Sequence, residues 1–123
     1  LLAGLLYRRI QSVVPLELEG LAPAGANERL RCYRYTPGQY FKPHFDGAFV
    51  RGPDERSLLT LMVYLNDPSA GGETHFPDAE VTVAPRAGLA LLFDHHLLHE
   101  SKTLRAGVKY AVRSDVMFRA RAA

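Results

Sequence analysis

The sequence predicts a mainly β protein, a sandwich or barrel with one supporting helix at its N-terminus. Three observations predict it. From Arg29 onward, short runs of apolar, aromatic and β-branched residues alternate with turn signals at intervals of about 8–12 residues. Leu58–Leu65 is apolar almost without interruption, as a strand covered on both faces must be. Helical spacing is confined to the start of the chain. With 123 residues the chain is long enough for one domain with one core, and no repeat, linker or low-complexity tract divides it. The expectation is one domain over 1–123, with a helix at about 2–14 and a β core at about 29–119.

In order along the chain, Leu2, Leu5, Leu6, Ile10, Val13 and Val14 share one helix face, and Pro15 stops that helix. Gly20–Asn27, with Pro23 and Gly25, reads as a loop. Arg29–Tyr35 reads as a strand, Thr36-Pro37-Gly38-Gln39 as a turn, and Tyr40–Phe45 as a second strand. Gly47–Ser57 is polar, contains Gly52-Pro53-Asp54, and reads as a loop with Gly47 and Gly52 as hinges. Leu58–Leu65 is the central strand and Asn66–Gly72 a turn. Glu73–Phe76, Val81–Ala84, Leu89–Phe93, Leu97–His99 and Lys109–Arg119 are the remaining strands, with Pro85–Gly88 a tight connection.

Composition bounds the function classes. Hydrophobic residues make up 47% and charged residues 23%, ordinary for a water-exposed globular domain. No apolar run approaches the ~20 residues that cross a bilayer, so no membrane partner is expected. The net charge of +2, without a basic block, gives no footprint for nucleic acid. Cys32 is the only cysteine, which excludes an internal disulfide and makes a reducing, cytoplasmic compartment the expectation. Its place in Leu30-Arg31-Cys32-Tyr33 reads as a small core residue rather than a reactive thiol. The chain starts at Leu1 rather than methionine, which leaves the natural N-terminus open.

The chemistry lies in His44-Phe45-Asp46. Two positions apart on an extended strand, His44 and Asp46 point to the same side. Two imidazoles and one carboxylate form the facial triad that holds non-haem Fe(II) with coordination positions left open. A turn precedes the pair and Gly47 follows it, which puts it at the mouth of a sheet. His99 is a candidate for the second imidazole, with His95 and His96 as rivals, since His95 lies at even spacing from His99. The plainer reading of His95 and His96 is polar residues at a strand turn.

Lys109 opens the last strand. Alternation puts Lys109, Ala111, Arg113, Asp115 and Met117 on one face, and Tyr110, Val112, Ser114, Val116 and Phe118 on the other. A buried lysine without a partner tends to lose its proton, whereas a dicarboxylate gives it a charge-assisted pair. The plainer reading of Lys109 is an exposed edge-strand lysine. Arg113 lies on the same face and has three open partners: Asp115, a co-substrate or a substrate.

Four blocks carry a resemblance. They are Tyr35-Thr36-Pro37-Gly38-Gln39 leading to His44-Phe45-Asp46; Leu59–Asn66 followed by Gly71-Gly72-Glu73-Thr74-His75-Phe76; Pro85–Phe93; and His99-Glu100 with Val108-Lys109-Tyr110 and Arg113–Met117. In this order they resemble the prolyl 4-hydroxylase-like Fe(II)/2-oxoglutarate-dependent dioxygenases. The family usually has a longer helical support at the N-terminus than the one helix here.

The resemblance implies a double-stranded β-helix, or jelly roll. It implies His44, Asp46 and His99 as iron ligands, Lys109 on the distal carboxylate of 2-oxoglutarate, and Tyr35 beside that co-substrate. The implied reaction hydroxylates an unactivated C–H bond, consumes O2 and releases succinate and CO2, with ascorbate as an accessory reductant. A peptidyl proline in a peptide or protein is the default substrate, and a small molecule is the other class. Tyr64 and Asn66 are candidate substrate contacts. The retained Asp46 argues against the related halogenases, and lysine rather than arginine at 109 argues against nucleic-acid dealkylases. The rival from another class is a non-catalytic jelly-roll module that binds a metal or small carboxylate. Oligomeric state is left open.

Overall fold

The computed structural model describes residues 1–121. The apolar spacing at the start forms α1 (Leu2–Ile10), which runs on through a single 3-10 turn at Gln11–Val13 and ends before Pro15. Arg8 and Arg9 fall in the last turn of α1, where the helix dipole favours cations. Twelve strands follow among the described residues: β1 (Ala22–Ala26), β2 (Arg31–Tyr35), β3 (Phe41–His44), β4 (Val50–Gly52), β5 (Glu55–Tyr64), β6 (Ala70–Gly71), β7 (Thr74–Phe76), β8 (Val81–Val83), β9 (Ala90–Asp94), β10 (His99–Ser101), β11 (Leu104–Ala106) and β12 (Lys109–Arg119).

The two long strands, β5 and β12, pair antiparallel at the centre of the major sheet. Each is long enough to take two short partners end to end on its free edge. β2 and β1 divide the edge of β12 between them, and β9 and β4 divide that of β5. The minor sheet has the order β3-β10-β7-β8, and β6 pairs with β11 beside it. The sheets face one another as a jelly roll. Phe93 of β9 meets Phe76 of β7 edge-on, with ring centroids 5.0 Å apart.

The major sheet is covered on both faces, which explains the unbroken apolar run in β5. Leu59, Leu61, Val116 and Phe118 pack on the outer face against Ile10 and Val14, with Leu6 and Tyr7 of α1 beside them. Burying such side chains contributes about 1.5–3 kcal/mol each. Thr60, Met62, Ala111 and Lys109 face inward to the minor sheet. No helix among the described residues is long and apolar enough to cross a membrane.

Five local expectations need correction. The strand expected at Leu97–His99 is β10 at His99–Ser101, because Leu97 and Leu98 still belong to the connection from β9. The segment expected as a loop at Gly20–Asn27 contains β1, an edge strand. Pro23 is tolerated there because an edge position needs no N–H on its outer side. Gly25, at φ +122°, makes the bulge where the register with β12 shifts. The polar stretch Gly47–Ser57 contains the β4–β5 hairpin, turning at Pro53-Asp54, with Gly52 paired to Glu55 rather than serving as a hinge. Asn66–Gly72 contains β6 as well as a turn. Cys32 is exposed, because alternation on β2 turns Tyr33 and Tyr35 inward and Cys32 out.

Candidate metal centre and anchor pocket

The inner sheet pairing brings the first two donors together. β3 and β10 are antiparallel neighbours, and His44 lies directly opposite His99. Their rings are 4.2 Å apart between centroids, and His44 stacks on Phe41 at 3.8 Å. Each ring is oriented by the carbonyl two residues before it. His44 Nδ1 is 2.7 Å from Lys42 O, and His99 Nδ1 is 3.0 Å from Leu97 O. A carbonyl only accepts, so Nδ1 carries the proton in both rings and Nε2 keeps a lone pair.

Both Nε2 atoms turn toward Asp46, just past the end of β3. His44 Nε2 is 3.6 Å from Asp46 Oδ1, and His99 Nε2 is 3.5 Å from Oδ2. One donor atom from each residue lies within 4.8 Å of the other two. Burial pushes the His99 imidazole below its ordinary pKa, against a smaller upward pull from the Leu97 carbonyl and Asp46. That favours the neutral form, which is the form that binds a metal. Six-coordinate bonds of about 2.1 Å put neighbouring donors about 3 Å apart. The three side chains must draw closer to meet one ion, and two imidazoles with one carboxylate are a donor set that fits a divalent metal.

Asp46 is held from three sides. Its N–H donates to His95 O at 3.0 Å. Oδ1 accepts from Arg113 Nη1 at 3.2 Å, and Oδ2 accepts from the Thr60 hydroxyl at 2.6 Å. Thr60 has one proton and spends it on Asp46, so it accepts from His95 Nδ1–H at 2.8 Å. His95 Nε2 then accepts from the Ser57 hydroxyl at 2.7 Å, and Ser57 Oγ accepts from Phe49 N–H at 2.8 Å. The chain of donors and acceptors closes with one consistent set of protons.

His95 does lie in the turn after β9, but it is buried there as a support beneath Asp46. Burial lowers its pKa, in keeping with a neutral ring. In the sequence only its even spacing from His99 separates it from His96, whose side chain is 82% exposed. Thr60 was legible only as an interruption in an apolar strand.

At the other end of the cavity, Lys109 is 1% exposed. Its Nζ donates to Gly72 O at 2.7 Å and to Ser101 Oγ at 2.8 Å, which uses two of its three N–H groups. The ammonium also lies over the rings of Tyr35 and Tyr64, at 4.7 and 5.5 Å from their centroids. Burial pushes its pKa down to about 8, and the nearby Glu73 only partly offsets this. The Tyr35 hydroxyl lies beside Ser101, and burial pushes that phenol above its ordinary pKa.

Two expected substrate contacts are absent from the cavity's open side. Tyr64 is fully buried with its hydroxyl bonded to Thr74 Oγ1. Asn66 clamps the backbone, donating to Val108 O at 2.6 Å and accepting from Tyr110 N–H at 2.8 Å. Arg113 takes one of its three expected partners, pairing with Asp115 at 3.2 Å, and it also reaches Asp46, which the sequence did not suggest. His44, Asp46, His99, Tyr35 and Lys109 line one cavity, closed by the apolar Met62, Phe93 and Ala111. It has metal donors at one end and a cation at the other.

The model of the 2OG-Fe(II) oxygenase superfamily matches residues 30–114, a span that takes in the three donors, Lys109 and Tyr35. The chain belongs to that superfamily. Within it, the chain is prolyl 4-hydroxylase-like. It is 42% identical over 78 residues to probable prolyl 4-hydroxylase 11 of Arabidopsis thaliana, covering 58% of this chain and 26% of that protein. It is 34% identical over 84 residues to human prolyl 4-hydroxylase subunit alpha-1, covering 63% of this chain and 16% of that one. The chain thus spans less than a third of the length of these relatives. Among solved structures it is similar to the viral collagen prolyl hydroxylase of Paramecium bursaria Chlorella virus-1 in its 2OG complex. That match has a TM-score of 0.67 and 25% identity, and covers 93% of this chain and 69% of that one. The superfamily's name implies Fe(II) and 2-oxoglutarate as the groups this oxygenase domain uses.

Proposed function

We propose that this chain is a dioxygenase that hydroxylates an unactivated C–H bond, with a peptidyl proline as substrate, and converts 2-oxoglutarate and O2 to succinate and CO2. In this reading His44, Asp46 and His99 hold Fe(II), and Lys109 pairs with the distal carboxylate of 2-oxoglutarate. The iron and the 2-oxo acid supply the oxidising chemistry. The chain's own residues orient and enclose. Arg113 and Thr60 each hold one oxygen of Asp46, which leaves its carboxylate little freedom to rotate. Lys109 keeps one N–H beyond its two internal bonds for a ligand carboxylate, and Tyr35 offers a hydroxyl beside it. Met62, Phe93 and Ala111 exclude water from the space between.

One observation carries the reading: two Nε2 lone pairs and one carboxylate converge in the same cavity as a buried lysine. Proline as the substrate is supported by the relatives' names and by the exposed ring of Phe41, which stacks on His44. The cytoplasm remains part of the reading and suits a single cysteine with no partner in the chain.

The test is succinate formed from 2-oxoglutarate by purified protein with Fe(II) and ascorbate, with and without O2, and with proline-containing peptides. Oxygen-dependent succinate that disappears in Asp46→Ala is the expected result. Iron binding without succinate under any substrate would favour a non-catalytic jelly-roll module.

A further inference from the structure

Next to the metal cavity lies a second, polar cleft, and Arg113 is the residue common to both linings. Its walls come from three segments: Asn27 with Arg29 and Arg31, Gly47 to Phe49, and Ser114 with Asp115. Arg31 and Arg113 are directly opposed across β2 and β12. Like charges in that position repel, and they persist where something else compensates. Arg113 is compensated by Asp46 and Asp115. Arg51 nearby is paired with Glu28 and Glu55. Among the described residues, Arg29 and Arg31 have no carboxylate partner.

The cleft is also built to hold its shape. Asn27 is 2% exposed. Its N–H donates to Asp115 O at 2.7 Å, its carbonyl accepts from the Ser114 hydroxyl at 2.6 Å, and its side-chain oxygen accepts from Arg29 N–H at 3.0 Å. These bonds pin the segment that carries Arg29 and Arg31 against β12. Asp115 is the one carboxylate in the wall, and Arg113 already engages it.

We propose that this cleft is a substrate subsite for a carboxylate: Arg29 and Arg31 bind an acidic group of the substrate while its target C–H bond lies in the metal cavity. The inference rests on the oxygenase reading for its occupant. The carboxylate has two sources, an acidic side chain next to the target residue or the free C-terminus of a short peptide. Two guanidinium groups on one wall suit either, since each presents a planar pair of donors to a carboxylate.

The experiment is an NMR titration of the 15N-labelled chain, without metal or turnover. Three blocked-N-terminus tetrapeptides serve as probes: one with Glu beside proline and an amidated C-terminus, one with Gln in place of that Glu, and one without Glu but ending in a free proline carboxylate. The expected result is that a carboxylate-bearing peptide binds about tenfold or more tighter than the Gln peptide. Shifts centre on the amides of Gly47, Ala48 and Ser114, and the preference is lost in both Arg31→Gln and Arg29→Gln. Which acidic peptide wins identifies the source. Equal binding of all three peptides, no binding of either acid, or a preference that survives both substitutions would overturn the subsite. The succinate assay reads the oxygenase independently, so either idea can fail without the other. Arg29 and Arg31 sit on the exposed rim, so either variant keeps a folded spectrum as its own control.

Discussion

Arg113 Nη1 lies 3.2 Å from Oδ1 of Asp46, so the carboxylate flanked by the two histidines is itself held by a cation from the major sheet. Arg113→Gln should therefore weaken metal binding by about 10–100-fold, the usual loss when a group that orients a ligand is removed. Anaerobic titration with Fe(II), or Co(II) followed by its absorption, measures it. Asp115→Asn, which removes only the other partner of Arg113, should cost less.

His99→Ala should abolish Co(II) binding at micromolar concentrations, and His44→Ala likewise. His96→Ala should leave it unchanged, because that ring is exposed and pairs with Asp94 rather than facing the donors. The reverse pattern would move the third donor to the other end of the Asp94–His99 turn.

Affinity for 2-oxoglutarate should be level up to about pH 8 and then fall, because the empty-site pKa of Lys109 is about 8 and only the ammonium pairs with a carboxylate. The fall approaches about tenfold per pH unit until the pKa of the complex is reached. Calorimetric titration of metal-loaded protein at several pH values reads it. Lys109→Arg, where it still folds, should flatten the profile, since guanidinium stays charged. In the ligand-free protein the stability effect has the opposite sign. The unfolded lysine holds its proton up to 10.5 and the folded one only to about 8, so between them stability rises with pH.

Gly72→Ala should raise the Kd for 2-oxoglutarate while sparing the metal. Gly72 has φ +76°, and a Cβ there would meet Lys109 Cδ at 3.0 Å and Leu104 Cδ1 at 3.3 Å. The backbone strain costs about 1 kcal/mol, and the lysine must shift from its bonds to Gly72 and Ser101. Parallel titrations of metal and co-substrate separate the two effects.

Thr60→Val should destabilise the metal-free fold by about 1–3 kcal/mol, because it leaves His95 Nδ1–H and one oxygen of Asp46 buried without their partner. Urea unfolding in the presence of a chelator measures it. If stability is unchanged, the chain from Phe49 to Asp46 is not a rigid support.

The strands were legible where their pattern was strong. β12 begins and ends where alternation places it, and β5 is central as its apolar run requires. β1 was not legible, since Ala-Pro-Ala-Gly-Ala has no strand-forming side chain and is extended only because the edge of β12 accepts it. Cys32 was misjudged because the apolar character of its neighbours says nothing about which face of an edge strand meets solvent.

By itself, the sequence determined a mainly β sandwich or barrel, the helix, and the chemical types that meet at the site, because periodicity and residue spacing are local properties; the jelly roll came from the family resemblance. It placed His44 and Asp46 on one side of an extended segment, since that follows from a two-residue repeat, although β3 itself ends at His44. Only the tertiary structure decided that His99 stands opposite His44 while His95, four residues earlier, turns under Asp46 and His96 turns to water. It alone opposed Arg31 to Arg113 and buried Lys109 deeply enough to move its pKa. Those outcomes depend on strand register and on desolvation, which arise between segments distant in the chain.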